Sequence, residues 1–326
     1  MKCIVKHMKI LACSLVLTSM ASSMSGCASP EVSVADFEAG DYIKTAYKAE
    51  GYASSLCVAS DNIRPESVNM ETGLHAVGLF DMTNQNVLYA NNIYKKLYPA
   101  STTKILTAYV ALKYGNLSDI VTVSKNATTF PIGASLAFLK EGDRISMEEL
   151  LYGLMLPSGN DAAVAIAEHI SGSVEEFAKL MNSEAYSLGA TNSHFVNPHG
   201  LHDDNHYTTA YDLYLIFSEC LKQETFVKII SEASHTGEFT AKDGSPRKEL
   251  WESTSFYMTG EAEKPMTVEY IGGKTGNTSE AKRCLVAYSK DAKNNHYISI
   301  VMGANDKPRL YQNMNELLNH AVPANE

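Results

Sequence analysis

Ser101 and Lys104 stand three residues apart in "YPASTTKILTAYVALKYG", where a proline-led loop turns into an apolar run. A serine hydroxyl is a poor nucleophile until a neighbouring base takes its proton. A lysine serves as that base only when burial or a second cation holds its amine neutral near working pH. Three residues advance a helix by about 4.5 Å and nearly one turn, which sets the two side chains on neighbouring parts of one face. The bare pattern is common, since Ser245 with Lys248 and Ser279 with Lys282 repeat it. Ser245 lies in the turn "DGSPRK" and Ser279 in the link "NTSEAK", so only Ser101 opens a helix. On this motif alone, a capping serine and a solvated lysine remain the simpler account.

Two further motifs carry polar groups of the right kind. Ser-x-Asn occurs at Ser60, Ser67, Ser124 and Ser158, but only Ser158-Gly159-Asn160 falls in a short turn between two apolar helical runs, from which a loop can aim side chains into a cleft. Ordinary helix-to-helix turns use the same residues. "GGKTGNT" holds the chain's one Lys-Thr-Gly, Lys274 to Gly276. Gly272 and Gly273 weaken a strand and suit the close approach of another backbone or a ligand. Lys274 and Thr275 could then hold a carboxylate. The spacing is not that of a phosphate-binding loop.

These residues need a scaffold, and hydrophobic periodicity supplies its outline. "LHAVGLFD" and "NVLYANN" around "MTNQ" predict a hairpin. A helix is expected from Ser101 to about Lys113, ended by Gly115. The middle reads as mostly helical, through "SMEELLYGLML" with a Ser146/Glu149 capping box, "DAAVAIAEHI", "VEEFAKLMNSEAYSLG" and "TAYDLYLIFSECLKQ". "TVEYIGGKTG", "RCLVAYS" and "YISIVMGA" predict strands, and "LYQNMNELLNHAV" a closing helix. The expectation is an α+β fold: one antiparallel sheet built from both chain ends, with a helical insertion between them. The fold is expected to begin near Gly73 and run over residues 72–322, with 27–71 a tether and lead-in.

At 326 residues, 45% hydrophobic and 20% charged, the composition is that of a globular protein. Lys2, Lys6 and Lys9 precede an apolar run too short to span a membrane comfortably, so residues 1–26 read as an export signal. Ser25 and Gly26 before Cys27 resemble the lipobox of a bacterial lipoprotein, with Cys27 the lipidated residue and membrane anchor. Loss of residues 1–26 takes the net charge from −10 to −13, because three lysines and no acidic residue go with them. That balance argues against nucleic acid as a partner and against a membrane docked through a basic face. Cys57, Cys220 and Cys284 remain, so at most one disulfide is possible and none is required.

Taken in order, Ser101-x-x-Lys104, Ser158-x-Asn160 and Lys274-Thr275-Gly276 resemble the signature of the penicillin-recognising serine enzymes. "YPASTTKILTA", "VNPHGLHDDNHYTTAYDL" and "IGGKTGNTSEAKRCLVA" are similar to the low-molecular-mass D-alanyl-D-alanine carboxypeptidases among them, over residues 70 to 320 or so. The resemblance implies a serine β-lactamase/DD-peptidase-like fold. It implies that Ser101 attacks the bond between the terminal D-alanines of a peptidoglycan stem pentapeptide, with Lys104 as base, Ser158 passing a proton to the leaving amine, and Asn160 positioning Lys104 and substrate. Lys274, Thr275, Gly276 and Asn277 match the substrate-binding positions, and the Ser101 and Asn277 N–H groups match an oxyanion hole. β-Lactams are implied as covalent inhibitors, no metal or organic cofactor is needed, and the site is placed outside the cytoplasm, at the cell-surface or periplasmic side of the membrane. Asn277, where relatives vary, and the loosely similar "LWESTSFY" are departures from the family pattern.

Three other readings compete. His194, His199, His202 and His206, with Asp203 and Asp204, could ligate zinc, although the matching loop of the resembled family holds none. A β-lactamase of class A type needs a glutamate between the second and third motifs; Glu316 and Asn319 of "NELLNH" come after the third and read as exposed helix positions. A wall-binding or β-lactam-sensing lipoprotein would keep the pocket without turnover.

Overall fold

The computed structural model describes residues 56–322, so Cys27 and the expected export signal lie outside the described residues. Its strands in chain order are β1 (Ala76–Asp81), β2 (Asn86–Asn91), β3 (Ile120–Thr122), β4 (Arg144–Ser146), β5 (Ser234–Thr240), β6 (Pro246–Glu252), β7 (Glu269–Thr278), β8 (Lys282–Lys290) and β9 (His296–Ala304). The α-helices are α1 (Lys104–Tyr114), α2 (Met147–Met155), α3 (Asn160–Ser171), α4 (Val174–Ser187), α5 (Ala210–Cys220), α6 (Glu224–Ile230), α7 (Phe256–Thr259) and α8 (Lys307–Ala321).

Strands from the first and last parts of the described residues meet in one antiparallel sheet, ordered β2-β1-β9-β8-β7, as the periodicity predicts. Its first hairpin is shaped by Asp81, whose carboxylate accepts the backbone N–H of Thr83 at 3.0 Å and of Asn84 at 2.9 Å. The central strands are apolar on both faces because both faces are covered. Side chains alternate across a strand. Ala76 and Phe80 of β1, with Ile298, Ile300 and Met302 of β9, therefore join the core of the helical layer. Val77, Leu79 and Val301 point the other way, onto Leu310, Met314 and Leu317 of α8.

Within the helical layer α1 is the hub, packed against α2, α3, α4 and α5. Ile105, Leu106, Ala108, Val110 and Ala111 are all buried. A helix apolar nearly all round belongs in a core, and this one brings the Ser101–Lys104 segment with it. Ser146 caps α2 by accepting the Glu149 N–H at 3.2 Å, as the capping box predicts.

Two expectations need correction. The middle of the chain is not simply helical: β3, β4, β5 and β6 form a second, four-stranded sheet. β3 and β4 have three residues each, too few for a period-two pattern, and β5 and β6 are mostly polar. The missed signal is Asp243-Gly244, a turn pair in which Gly244 has φ +87°. Nor does the fold begin near Gly73. Cys57 is buried and its N–H donates to the Tyr214 hydroxyl at 2.8 Å, Ile63 bridges Ala90 on β2, and the Glu71 N–H reaches Asn313 of α8 at 2.9 Å. Such single contacts leave no periodic trace in sequence. The same strapping removes Glu316 and Asn319 from the exposed class, since they accept the N–H groups of Asn69 and Met266, each at 2.7 Å. Cys57, Cys220 and Cys284 are buried free thiols. No helix among the described residues is long and apolar enough to cross a membrane.

Candidate active site

Ser101 sits in a 3-10 turn, Ala100–Thr103, that leads directly into α1. The turn is strained and tightly held. Ala100 has φ +49°, a left-handed conformation that costs a side-chain-bearing residue about 1–2 kcal/mol. The Thr102 hydroxyl donates to the Pro99 carbonyl at 2.7 Å, and the Thr103 hydroxyl to the Ala100 carbonyl at 2.8 Å. Gly200, at φ +87°, presses against that carbonyl so closely that a Cβ there would lie 1.9 Å from the oxygen.

Lys104, 0% exposed, aims its amine back at the turn. Nζ lies 3.1 Å from the Ser101 Oγ, 2.7 Å from Asn160 Oδ1 and 2.7 Å from the His199 carbonyl. Asn160 and His199 present only acceptors. A neutral amine gives them its two N–H bonds and turns its lone pair to the Ser101 hydroxyl, which is the arrangement a general base requires. Burial, and then the charge of Lys274, hold the Lys104 amine well below the ordinary lysine range, with Asp161 opposing.

The second motif occupies the α2–α3 turn. Ser158 is left-handed, φ +63°, and Gly159 leaves no room for a side chain: a Cβ would stand 2.7 Å from both Asp161 Oδ1 and the Gly153 carbonyl. Asp161, buried behind the turn, accepts the N–H groups of Ala137 at 2.8 Å and Leu139 at 3.0 Å, and the Asn160 N–H reaches the Ser135 carbonyl at 2.9 Å. These bonds fix the segment around Ser135 to the start of α3.

The third motif lies on β7. Gly276 permits this strand to lie against the nucleophile turn, for a Cβ there would be 2.9 Å from the Pro99 carbonyl. Gly272 serves a close approach of backbone, with the Ile230 carbonyl 2.1 Å from where its Cβ would be. Lys274 is 1% exposed, and Nζ donates to Ser158 Oγ at 2.9 Å and to the Thr275 carbonyl at 3.0 Å. Burial lowers its pKa to about 7. The ammonium lies beneath the wall of the cleft and joins the third motif to the second through Ser158, which lines that cleft.

Ser101, Ser158, Asn160, Thr275, Gly276 and Asn277 line one cleft, together with Ser135, Thr254, Arg283 and Lys307. The Thr254 and Thr275 hydroxyls are 2.6 Å apart. Arg283 and Lys307 form no ion pair among the described residues. Motif reading passes over Arg283, yet its place opposite Asn277 follows from counting back from the tight β7–β8 turn. The other Ser-x-x-Lys pairs are elsewhere: Ser245 and Ser279 are exposed, Lys248 pairs with Glu238, and Lys282 donates to Asn305. The four histidines of the loop before α5 do not converge on a metal. His194 Nδ1 lies 2.6 Å from the Asn205 carbonyl, His206 Nε2 2.8 Å from Thr103 Oγ1, and His202 3.4 Å from Asp204. Among the described residues no three His, Cys, Asp or Glu side chains form a metal-binding group.

The family model for D-alanyl-D-alanine carboxypeptidase, peptidase S11, matches residues 66–306. The chain is 36% identical over 249 residues to the D-alanyl-D-alanine carboxypeptidase DacF of Bacillus subtilis, covering 74% of this chain and 60% of that protein. It is 37% identical over 234 residues to DacA of Haemophilus influenzae, covering 69% and 56%. The chain thus spans somewhat more than half the length of these curated relatives. The crystal structure of the Streptomyces K15 DD-transpeptidase superposes with a TM-score of 0.72 at 30% identity, over 78% of this chain and 99% of that one. The chain belongs to the D-alanyl-D-alanine carboxypeptidase family of serine peptidases.

Proposed function

We propose that this protein is a serine D-alanyl-D-alanine carboxypeptidase that removes the terminal D-alanine from peptidoglycan stem pentapeptides and is acylated by β-lactams. The observation that carries the reading is the buried Lys104 amine 3.1 Å from the Ser101 Oγ, with its other two contacts to acceptors. Ser101 Oγ attacks the carbonyl between the two D-alanines while its proton passes to Lys104. Negative charge developing on the carbonyl oxygen is met by the Ser101 and Asn277 N–H groups. Ser158, held by the Lys274 ammonium, gives its hydroxyl proton to the amine of the departing D-alanine and takes back the proton that Lys104 received from Ser101, so the C–N bond breaks with Lys104 neutral and Ser158 a hydroxyl again. Water then hydrolyses the Ser101 ester and restores the hydroxyl. Release of D-alanine from diacetyl-Lys-D-Ala-D-Ala by the purified protein tests this reading, and turnover is expected. Penicillin labelling without D-alanine release would make it a sensor; rapid hydrolysis of the penicillin itself would make it a β-lactamase.

Since Lys274 faces inward, the substrate's terminal carboxylate is received by the Thr275 hydroxyl and the Arg283 guanidinium at the cleft wall. A charge-assisted hydrogen bond contributes about 1.5–3 kcal/mol. Arg283→Ala is therefore expected to raise KM for the peptide about 10- to 100-fold while kcat changes little. An unchanged KM would remove Arg283 from the site.

The site works where stem peptides are found, outside the cytoplasm. Lipidation at Cys27 after loss of residues 1–26 supplies a tether, residues 27–55 the reach, and residues 56–322 the catalytic domain. Cys27→Ser is expected to shift the protein from the membrane to the soluble fraction; persistence in the membrane counts against the lipid anchor.

A further inference from the structure

His206 lies outside the three motifs and touches no part of the cleft, yet it is bonded to the nucleophile turn. The ring is 1% exposed and meets Phe195 edge-on at 5.4 Å between centroids. Nδ1 accepts the Val196 N–H at 3.1 Å, so that nitrogen carries no proton. Burial pushes the imidazole down to about 4, which keeps the ring neutral and places its one proton on Nε2. Nε2–H then donates to Thr103 Oγ1 at 2.8 Å, and the Thr103 hydroxyl, left with its own proton, donates to the Ala100 carbonyl at 2.8 Å. Only this tautomer satisfies all four groups. The chain of bonds runs one way, from the Val196 amide to the Ala100 carbonyl.

That carbonyl belongs to the peptide unit whose N–H is that of Ser101. A trans peptide is planar, with its C=O and N–H pointing in opposite directions. Holding the Ala100 oxygen therefore aims the Ser101 N–H. Ala100 is strained at φ +49° and Gly200 is seated against the same oxygen, so this plane would otherwise relax. We propose that His206 is a positioning residue: through Thr103 it fixes the Ala100–Ser101 peptide plane and so directs the Ser101 N–H at the oxyanion formed during acylation.

The inference rests on Ser101 being the acylated residue, and the wild-type arm of the test reports that separately. The full-length protein is treated with a penicillin and the adduct mapped by peptide mass, then the acylation rate and the infrared stretch of the acyl-ester carbonyl are measured. His206→Phe and Thr103→Val remove successive members of the chain, and either serves alone where the other does not fold. Acylation is expected to slow by about 10- to 100-fold in each, within the range seen when reacting groups are misplaced. The KM for the peptide stays close to wild type, the double variant is no slower than the worse single one, and the carbonyl stretch moves to higher wavenumber as its hydrogen bond weakens. A variant with wild-type acylation and carbonyl stretch overturns the proposal, as does slow acylation with an unmoved stretch, or additive losses in the double variant. No adduct on Ser101 in the wild type overturns the proposed function together with this inference.

Discussion

Ser101→Ala is expected to fold, to form no covalent adduct with penicillin, and to lose about 10⁶-fold in turnover of a D-Ala-D-Ala peptide, the scale of loss on removing a serine nucleophile. Folding survives because Ser101 is only half-buried and its hydroxyl forms one contact, with Lys104. The turn is held instead by Thr102, Thr103 and Gly200. Among the described residues no other serine is hydrogen-bonded to the Lys104 amine. Ser158 Oγ lines the same cleft, but it is bonded to the Lys274 amine, while the Lys104 amine contacts Ser101, Asn160 and the His199 carbonyl. Ser245 and Ser279 are exposed at hairpin turns away from that amine. Fluorescent penicillin on a denaturing gel reads the adduct, and D-alanine release reads the turnover. Label on Ser101→Ala at the wild-type level would exclude Ser101 as the nucleophile.

The order of the three motifs was legible because chemistry fixes residue types: a hydroxyl, an amine, an amide and close-packed glycines have few substitutes. Period-two and helical patterns likewise gave the large sheet and α1, whose residues are buried on nearly every side. What escaped notice depends on contacts distant in sequence. Alternation along β7 sends the Lys274 side chain into the protein, where it finds Ser158, 116 residues earlier. Arg283 is an unremarked cation until the β7–β8 register sets it opposite Asn277. Cys57 to Glu71 is held by isolated bonds to β2, α5 and α8, which no local pattern encodes. The polar strands β5 and β6 had too little apolar alternation to register.

Lys104→Ala is expected to lower the acylation rate about 10³- to 10⁴-fold, toward the upper part of what a positioned general base contributes. The pH profile carries the sharper prediction. Two buried amines share this site, and their apparent pKa values belong to the pair. Burial lowers both amines and the repulsion between them acts on each, and the proposed mechanism needs the state in which Lys104 is neutral while Lys274 keeps its charge. Acylation therefore rises with pH as the Lys104 amine becomes neutral, and falls when Lys274 loses the ammonium that holds Ser158. Lys274→Gln removes the neighbouring charge, so the Lys104 pKa rises and the ascending limb moves to higher pH. An ascending limb that stays in place, or moves lower, would show that Lys104 does not feel Lys274. Stability follows with its own sign. From the depressed folded values up to the ordinary lysine value of 10.5, the unfolded chain binds more protons than the folded one, so stability rises with pH. Lys104→Ala deletes one of the two titrating groups, and its thermal midpoint should gain less than that of the wild type as pH is raised through this window.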